Sequence, residues 1–467
     1  MLRENSPNGP ALANVSVSAE GAQSLVSGVD GRFDLRFPSK APGAQINLTL
    51  VKDGYVVIYP AMLHPILSSN TNGLRTTILM SKPRERKEKA WRYFRLEGEE
   101  AAERNFEEQD RQLEVTHAEN VAVAHERLGD QLDLANAMVA EAAEDFAKET
   151  LGANSNVYQH ATWLFIDGQF NEALDVLDPA KLQAQRSEGQ TGNQELVSSY
   201  KLRGEILALR FQFGDAAEAY ASAVELDSNN FGANIELGLL DQSIGRVDEA
   251  EKSFNQCLKL GRNAGDPMAI AKALNKLGDV HIRPTRMDEA ENEYNEALAI
   301  SRQWATNDPQ RYLPVAANAL DNLGHLYLTV DAYHKYRPEE GFKAYEEALK
   351  IYRQLAVDEP ALYLPHVSRN LYTMGVLYSD EGSWAEAGKK LEEALPICRQ
   401  VATNFPNRYQ PVVATMLDNL GYIYLMQNQI EKCRKAYAES LSIYQTLAKD
   451  CPDLFEPKVK RVQEELR

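Results

Sequence analysis

Six glycines, Gly204, Gly238, Gly278, Gly324, Gly375 and Gly421, occupy the same place in one pattern that runs through the second half of the chain. Twelve residues later comes a small residue: Ala216, Ala250, Ala290, Ala387 or Cys433, with Gly341 in the fourth unit after an insertion around Asp331–Pro338. Four further on stands Tyr220, Phe254, Tyr294, Tyr345, Leu391 or Tyr437, and three beyond that Ala223, Cys257, Ala297, Ala348, Ala394 or Ser440. With 27 glycines in 467 residues, six in register do not arise by chance. The physical reading is two helices per unit: small residues let the helix backbones cross closely, and the large residue fills the gap between neighbouring pairs.

This pattern resembles the tetratricopeptide repeat, a helix-turn-helix unit of the Leu-Gly…Tyr…Ala type. The resemblance implies a mainly α fold, an α-solenoid over residues 153–467 of about seven units and a capping helix. A weaker first unit, Val157–Leu182, carries Ala173, Leu177 and Ala180 at the matching places, and Gln183–Leu196 reads as a linker. The tail EPKVKRVQEELR repeats the start of a unit and reads as the cap that solenoids need. Gly204 to Gly238 is the ordinary spacing of 34, but Gly278 to Gly324 and Gly375 to Gly421 are both 46. The extra length predicts long second helices, one of them from Asp288 to Thr306. Pro309, Pro360, Pro406 and Pro452 are expected to stop these helices, and Pro314, Pro365, Pro411 and Pro457 to open the next ones. Pro396 is expected to kink its helix.

In arrays of this family the first helices line a concave surface, so the resemblance also implies a set of inward positions. They are Lys201, Glu205, Lys272, Asn275, Lys276, Asp279, Asn318, Asp321, Asn322, His325, Arg369, Tyr372, Asp418, Asn419 and Tyr422. Lys201, Lys272 and Lys276 match the basic members of the clamp with which some co-chaperones grip a C-terminal carboxylate. Glu205 and Glu236 stand where that clamp has asparagines and would repel the ligand, which argues against chaperone-tail recognition. The lining from Lys272 to Tyr422 suits a peptide or helix offering polar and aromatic contacts; it reads equally well as a solvated inner face.

Residues 1–81 have an apolar period of two. Val15, Val17 and Ala19, then Phe33, Leu35 and Phe37, then Ile46, Leu48 and Leu50 alternate with polar neighbours, as strands with one buried face do. Asp30-Gly31 suits a tight turn. LANVSVSAEG, VDGRFDLRFP and VKDGYVV resemble the carboxypeptidase regulatory-like domain, a transthyretin-type β-sandwich, whose usual first strand has no evident counterpart before Gly9. Residues 82–152 read as a long amphipathic helical connector carrying Phe106, Leu113, Val121, Leu128, Leu132, Ala135, Val139, Ala142 and Phe146 on one stripe. Such a stripe needs a partner, either the repeats or a second chain in a coiled-coil homodimer through the 84–151 helix. The run KPRERKEKAWRYFR reads as a solvated helix start rather than a phosphate or lipid contact.

The net charge of −18 argues against broad nucleic-acid binding, and no apolar run is long enough to span a membrane. The charge is localised: the first 80 residues hold six basic and five acidic side chains, so the acidity belongs to the helical part. The start MLRENSPNGP has no signal-peptide pattern, which predicts a cytoplasmic chain unless a natural start lies upstream. Four scattered cysteines make no disulfide framework, and Cys257 and Cys433 fall at small-residue core places. No HExxH, GxSxG, GxxxxGK[ST] or CxxC occurs, the histidines His117, His125, His325 and His334 fit no zinc spacing, and no cofactor is implied. These readings lead to a non-enzymatic scaffold that binds a protein partner. The alternatives are an anchoring component of an exported assembly, or a regulatory subunit of an enzyme encoded elsewhere.

Overall fold

A computed structural model describes residues 2–4, 10–20, 22–37, 46, 48–53, 55–57 and 78–81, the single positions 102, 106, 135 and 138, and residues 156–466 apart from 167–168, 188–191, 284, 329–335, 404–405 and 451. The chain divides into two compact units, residues 1–105 with 131–246, and residues 106–130 with 247–467.

In the first unit the N-terminal strands form two three-stranded sheets. One has the order β1 (Leu2–Glu4), β6 (Ile78–Ser81), β5 (Val56–Val57); the other has β3 (Leu25–Val26), β2 (Ser16–Ala19), β4 (Leu48–Val51). β2 and β4 pair antiparallel with Val17 opposite Leu50, and Val15, Val17 and Leu48 are buried, as the alternation predicts. Two expectations change. Residues 32–37 keep alternating burial but join no ladder, and Gly31 ahead of them turns at φ +73°. A strand does precede Gly9: β1 runs parallel to β6, with Leu2 fully buried and its amide donating to the Gly31 carbonyl at 2.8 Å. The connector and its basic start lie outside the described residues, except that Ala102, Phe106, Ala135 and Met138 are helical and buried.

The same unit holds α1 (Asn156–Ile166), α2 (Phe170–Val176), α3 (Pro179–Ser187), α4 (Asn193–Leu209), α5 (Phe213–Leu226) and α6 (Phe231–Ser243). The weak first unit is modified. Its second helix breaks at Asp178, whose carboxylate accepts from the amides of Ala180 and Lys181 and starts α3. Ala173 and Leu177 are fully buried, whereas Ala180 is exposed because the break turns it outward. The expected linker is therefore helical as far as Ser187.

The second unit is a run of helices, each packed on the one before and the one after: α7 (Val247–Ala264), α8 (Pro267–His281), α9 (Met287–Ala305), α10 (Pro309–Leu328), α11 (Pro338–Asp358), α12 (Pro360–Asp380), α13 (Trp384–Ala402), α14 (Pro406–Met426), α15 (Ile430–Asp450) and α16 (Pro452–Glu465). Even-numbered members are the first helices of each pair. Both small-residue places are buried throughout, and a Cβ on Gly278 would come within 2.5 Å of the Tyr294 ring. The same conflict, at 2.5–2.8 Å, recurs between Gly204 and Tyr220, Gly324 and Tyr345, Gly375 and Leu391, and Gly421 and Tyr437.

The prolines act differently from the expectation. Pro309, Pro360, Pro406 and Pro452 are the first residues of α10, α12, α14 and α16, so Pro314, Pro365, Pro411 and Pro457 lie a turn and a half inside. An initial proline costs no hydrogen bond, and the inner one removes only one near the helix start. The extra turn carries Tyr312, Tyr363 and Phe455, all at most 8 % exposed, and burying an aromatic offsets a lost bond of about 1 kcal/mol. Pro396 lies inside α13, which continues past it to Ala402.

Candidate partner-binding face

The predicted inward residues of the second unit sit on α8, α10, α12 and α14, and most of them join one first helix to the next. Asp279 on α8 accepts from the Tyr294 hydroxyl and from the Asn322 amide of α10, both at 2.8 Å, and from Lys276 at 3.3 Å. Asp321 on α10 accepts from the Asn370 amide of α12 at 2.7 Å and from the Tyr352 hydroxyl at 2.9 Å, with Arg369 3.9 Å away. Asn419 on α14 donates to the Tyr372 hydroxyl on α12 at 3.2 Å. Asp418 on α14 accepts from Arg461 on α16. Asn275 donates to the Val315 carbonyl at 3.2 Å. A ladder of polar rungs therefore climbs from α8 to α16, two joining α8 to α10 and one at each later step.

The rungs divide the predicted set. Asn275 and Asp418 are buried; Lys272, Lys276, Asp279, Asn318, Asp321, Asn322, Tyr372 and Asn419 are half-buried; His325, Arg369 and Tyr422 are exposed. Burial pushes the Asp321 carboxyl above its ordinary value, against the opposing pull of Arg369 and the Tyr352 and Asn370 hydrogen bonds. Burial also pushes up the Tyr294 and Tyr352 hydroxyls, reinforced by Asp279 and Asp321 respectively, so both remain neutral donors. Tyr422 meets Trp384 edge-on at 5.7 Å, and Leu425 and Met426 continue its exposed face.

Sequence reasoning missed Asn370, Arg461 and a second ladder on the other helices. Arg262 pairs with Glu296, Arg302 with Glu347, Arg353 with Glu393 and Arg399 with Glu439, each reaching to the next second helix. The signal stands in EALAISRQ, EALKIYRQ and EALPICRQ, where Glu precedes the small residue and Arg follows it by five.

In the first unit, Glu205 and Glu236 are buried, at 3 % and 2 % exposure. Burial pushes Glu205 up to about 7, although the Tyr220 hydroxyl, 3.4 Å away, favours its anion. A further cluster pins the end of α8: His281 is buried, with Nδ1 2.8 Å from Glu293 and Nε2 3.3 Å from Glu251, and Arg286 pairs with Glu251 at 2.8 Å. Burial raises the Glu293 carboxyl, while the Arg286 hydrogen bond lowers that of Glu251.

Cys257, Cys398 and Cys433 are buried and in no disulfide, and burial pushes the Cys398 thiol up to about 11. Among the described residues no three His, Cys, Asp or Glu converge to hold a metal ion, and no helix is long and apolar enough to cross a membrane. His334 lies outside the described residues.

Paired helices whose first members carry a glycine against a large side chain of the second form a tetratricopeptide-repeat-like α-solenoid. The Tetratricopeptide repeat family model matches residues 231–303. Comparison with curated proteins finds no match. Similar solved structures include BtubC (BKLC) from P. vanneervenii, 20 % identical over 55 % of this chain and 92 % of that one, with a TM-score of 0.40. A tetratricopeptide repeat protein from Parabacteroides merdae is 16 % identical over 67 % and 98 % of the two chains, with a TM-score of 0.37. The apo quorum sensor NprR from B. thuringiensis is 13 % identical over 79 % and 98 %, with a TM-score of 0.39.

Proposed function

We propose that this chain is a non-enzymatic scaffold that binds a peptide or protein partner along the first helices α8 to α16. The observation that carries the reading is the polar ladder. It joins inward carboxylates and amides of successive first helices, beside which Arg369 and Tyr422 face solvent. A preorganised face of this kind binds at low entropic cost. The N-terminal sheets are read as a carboxypeptidase regulatory-like module that contributes no catalytic group.

The test is affinity capture with the full chain from a lysate of its source, compared with R369E/Y422D and with an outer-face control, E347Q. A partner retained by wild type and the control but lost with R369E/Y422D supports the reading. Retention of every partner by R369E/Y422D, or turnover of a small-molecule substrate by the purified chain, overturns it.

A further inference from the structure

We infer that residues 32–37 form an open strand edge at which two copies of this chain pair antiparallel about Leu35. The stretch has the character of a strand without the partners of one. Phe33, Leu35 and Phe37 are half-buried and alternate with exposed Arg32, Asp34 and Arg36, yet none of them joins a ladder. Among the described residues the hydrogen bonds of this stretch are confined to Arg32. Its carbonyl accepts from the Gly28 amide and its own amide donates to Asp30, both at 3.0 Å. Arg32 also pairs with Asp30 at 3.5 Å, whereas Asp34 and Arg36 meet no oppositely charged group among the described residues.

Extended backbone with unpaired N–H and C=O groups is a template for another strand. The sequence selects which strand. FDLRF is an inverted repeat about Leu35: Phe33 and Phe37 stand at equal distance on either side, and Asp34 and Arg36, of opposite charge, flank it directly. In an antiparallel pair of identical strands centred on Leu35, Phe33 lies against the other copy's Phe37 and Leu35 against its own counterpart. Asp34 then lies against the other copy's Arg36, twice over by the two-fold axis. The neighbouring registers fail. A shift by one residue sets an apolar side chain opposite a charged one. Centring the pair on Asp34 or on Arg36 brings that charge against its own copy. Pro38 follows in sequence and, having no N–H, limits the ladder to this stretch. The net charge of −18 does not oppose the contact, because the first 80 residues hold six basic and five acidic side chains and more distant charge is screened. Two copies joined here carry two partner-binding faces, which raises affinity for a partner with repeated segments. The pairing itself does not depend on what those faces bind.

Sedimentation velocity of the full chain over a range of concentrations tests this. Wild type should show a concentration-dependent dimer that weakens as salt rises. D34R and R36D should each weaken it by at least about tenfold, since either sets like charges opposite each other on both rungs. The double swap D34R/R36D restores the complement and should restore the dimer. The sharpest reading comes from a mixture of the two single variants. One then carries two basic and the other two acidic side chains at the paired positions, so together they should form a heterodimer about as tight as the wild-type dimer. Recovery in the mixture also shows that both variants are folded. A wild-type chain that stays monomeric at every concentration overturns the inference. A dimer unchanged by D34R and R36D overturns it too, and moves the contact elsewhere, the helical connector of residues 84–151 included. Weakening by both single variants with no recovery in either the double swap or the mixture overturns the register and the inference with it.

Discussion

Asn322 donates its side-chain amide to Asp279 at 2.8 Å across 43 residues of sequence, and this bond is the first rung joining successive first helices. Asp279 also answers Tyr294, whose ring closes over Gly278, so one carboxylate links the crossing within a pair to the stacking between pairs.

Asp279→Ala should therefore cost more than an ordinary surface change, about 1–3 kcal/mol, because the Tyr294 hydroxyl and Asn322 amide lose their acceptor. A double-mutant cycle with Asn322→Ala, read by chemical denaturation, should show coupling above about 0.5 kcal/mol. Strict additivity would mean that the rung contributes nothing.

Two glycines should respond with opposite sign. Gly278→Ala places a Cβ 2.5 Å from a buried ring and should destabilise by about 1–3 kcal/mol, as overpacking does. Gly214, exposed in the first turn of α5 with nothing within 4 Å of its added Cβ, should gain about 0.5–1 kcal/mol as alanine. Thermal melts of the two variants decide; equal shifts would refute the role of the crossing.

The outer ladder should matter little for each pair. Arg353 and Glu393 are 46 % and 45 % exposed, so Arg353→Ala should cost no more than about 1 kcal/mol, and less at high salt. A larger loss that salt does not relieve would show that the pair does more than the solvent-screened contact described.

Stability should carry a pH signature from Glu205. Its folded value is raised from 4.5 to about 7, so the fold favours the protonated acid. The folded state binds the extra proton, and this contribution is full below about pH 4.5 and lost as pH rises through 7. Glu205→Gln should melt higher than wild type at pH 8, and the difference between them should shrink on acidification to pH 5. A difference that is constant across this window would place the charge of Glu205 elsewhere.

Much of the helical part was legible because close packing leaves local traces. A helix crossing that excludes a Cβ must show glycine, and it did so in register. The prolines were misplaced because a proline is tolerated both at a helix start and, with one bond lost, near it; only the burial of Tyr312, Tyr363 and Phe455 shows which applies. Arg461 was missed because its helix lacks the glycine that sets the register, and the Arg–Glu ladder because its spacing depends on how neighbouring helices are phased.

The sequence by itself determined the repeat, its period and the identity of the crossing residues, since these follow from backbone approach within a single helix pair. Only the tertiary structure decided that Asp279, Asp321 and Asp418 are spent on joining repeats while Arg369, Arg461 and Tyr422 face outward. Position on a helix face says which way a side chain starts; which partner reaches it, and what remains exposed, depends on the neighbouring helix that packs alongside.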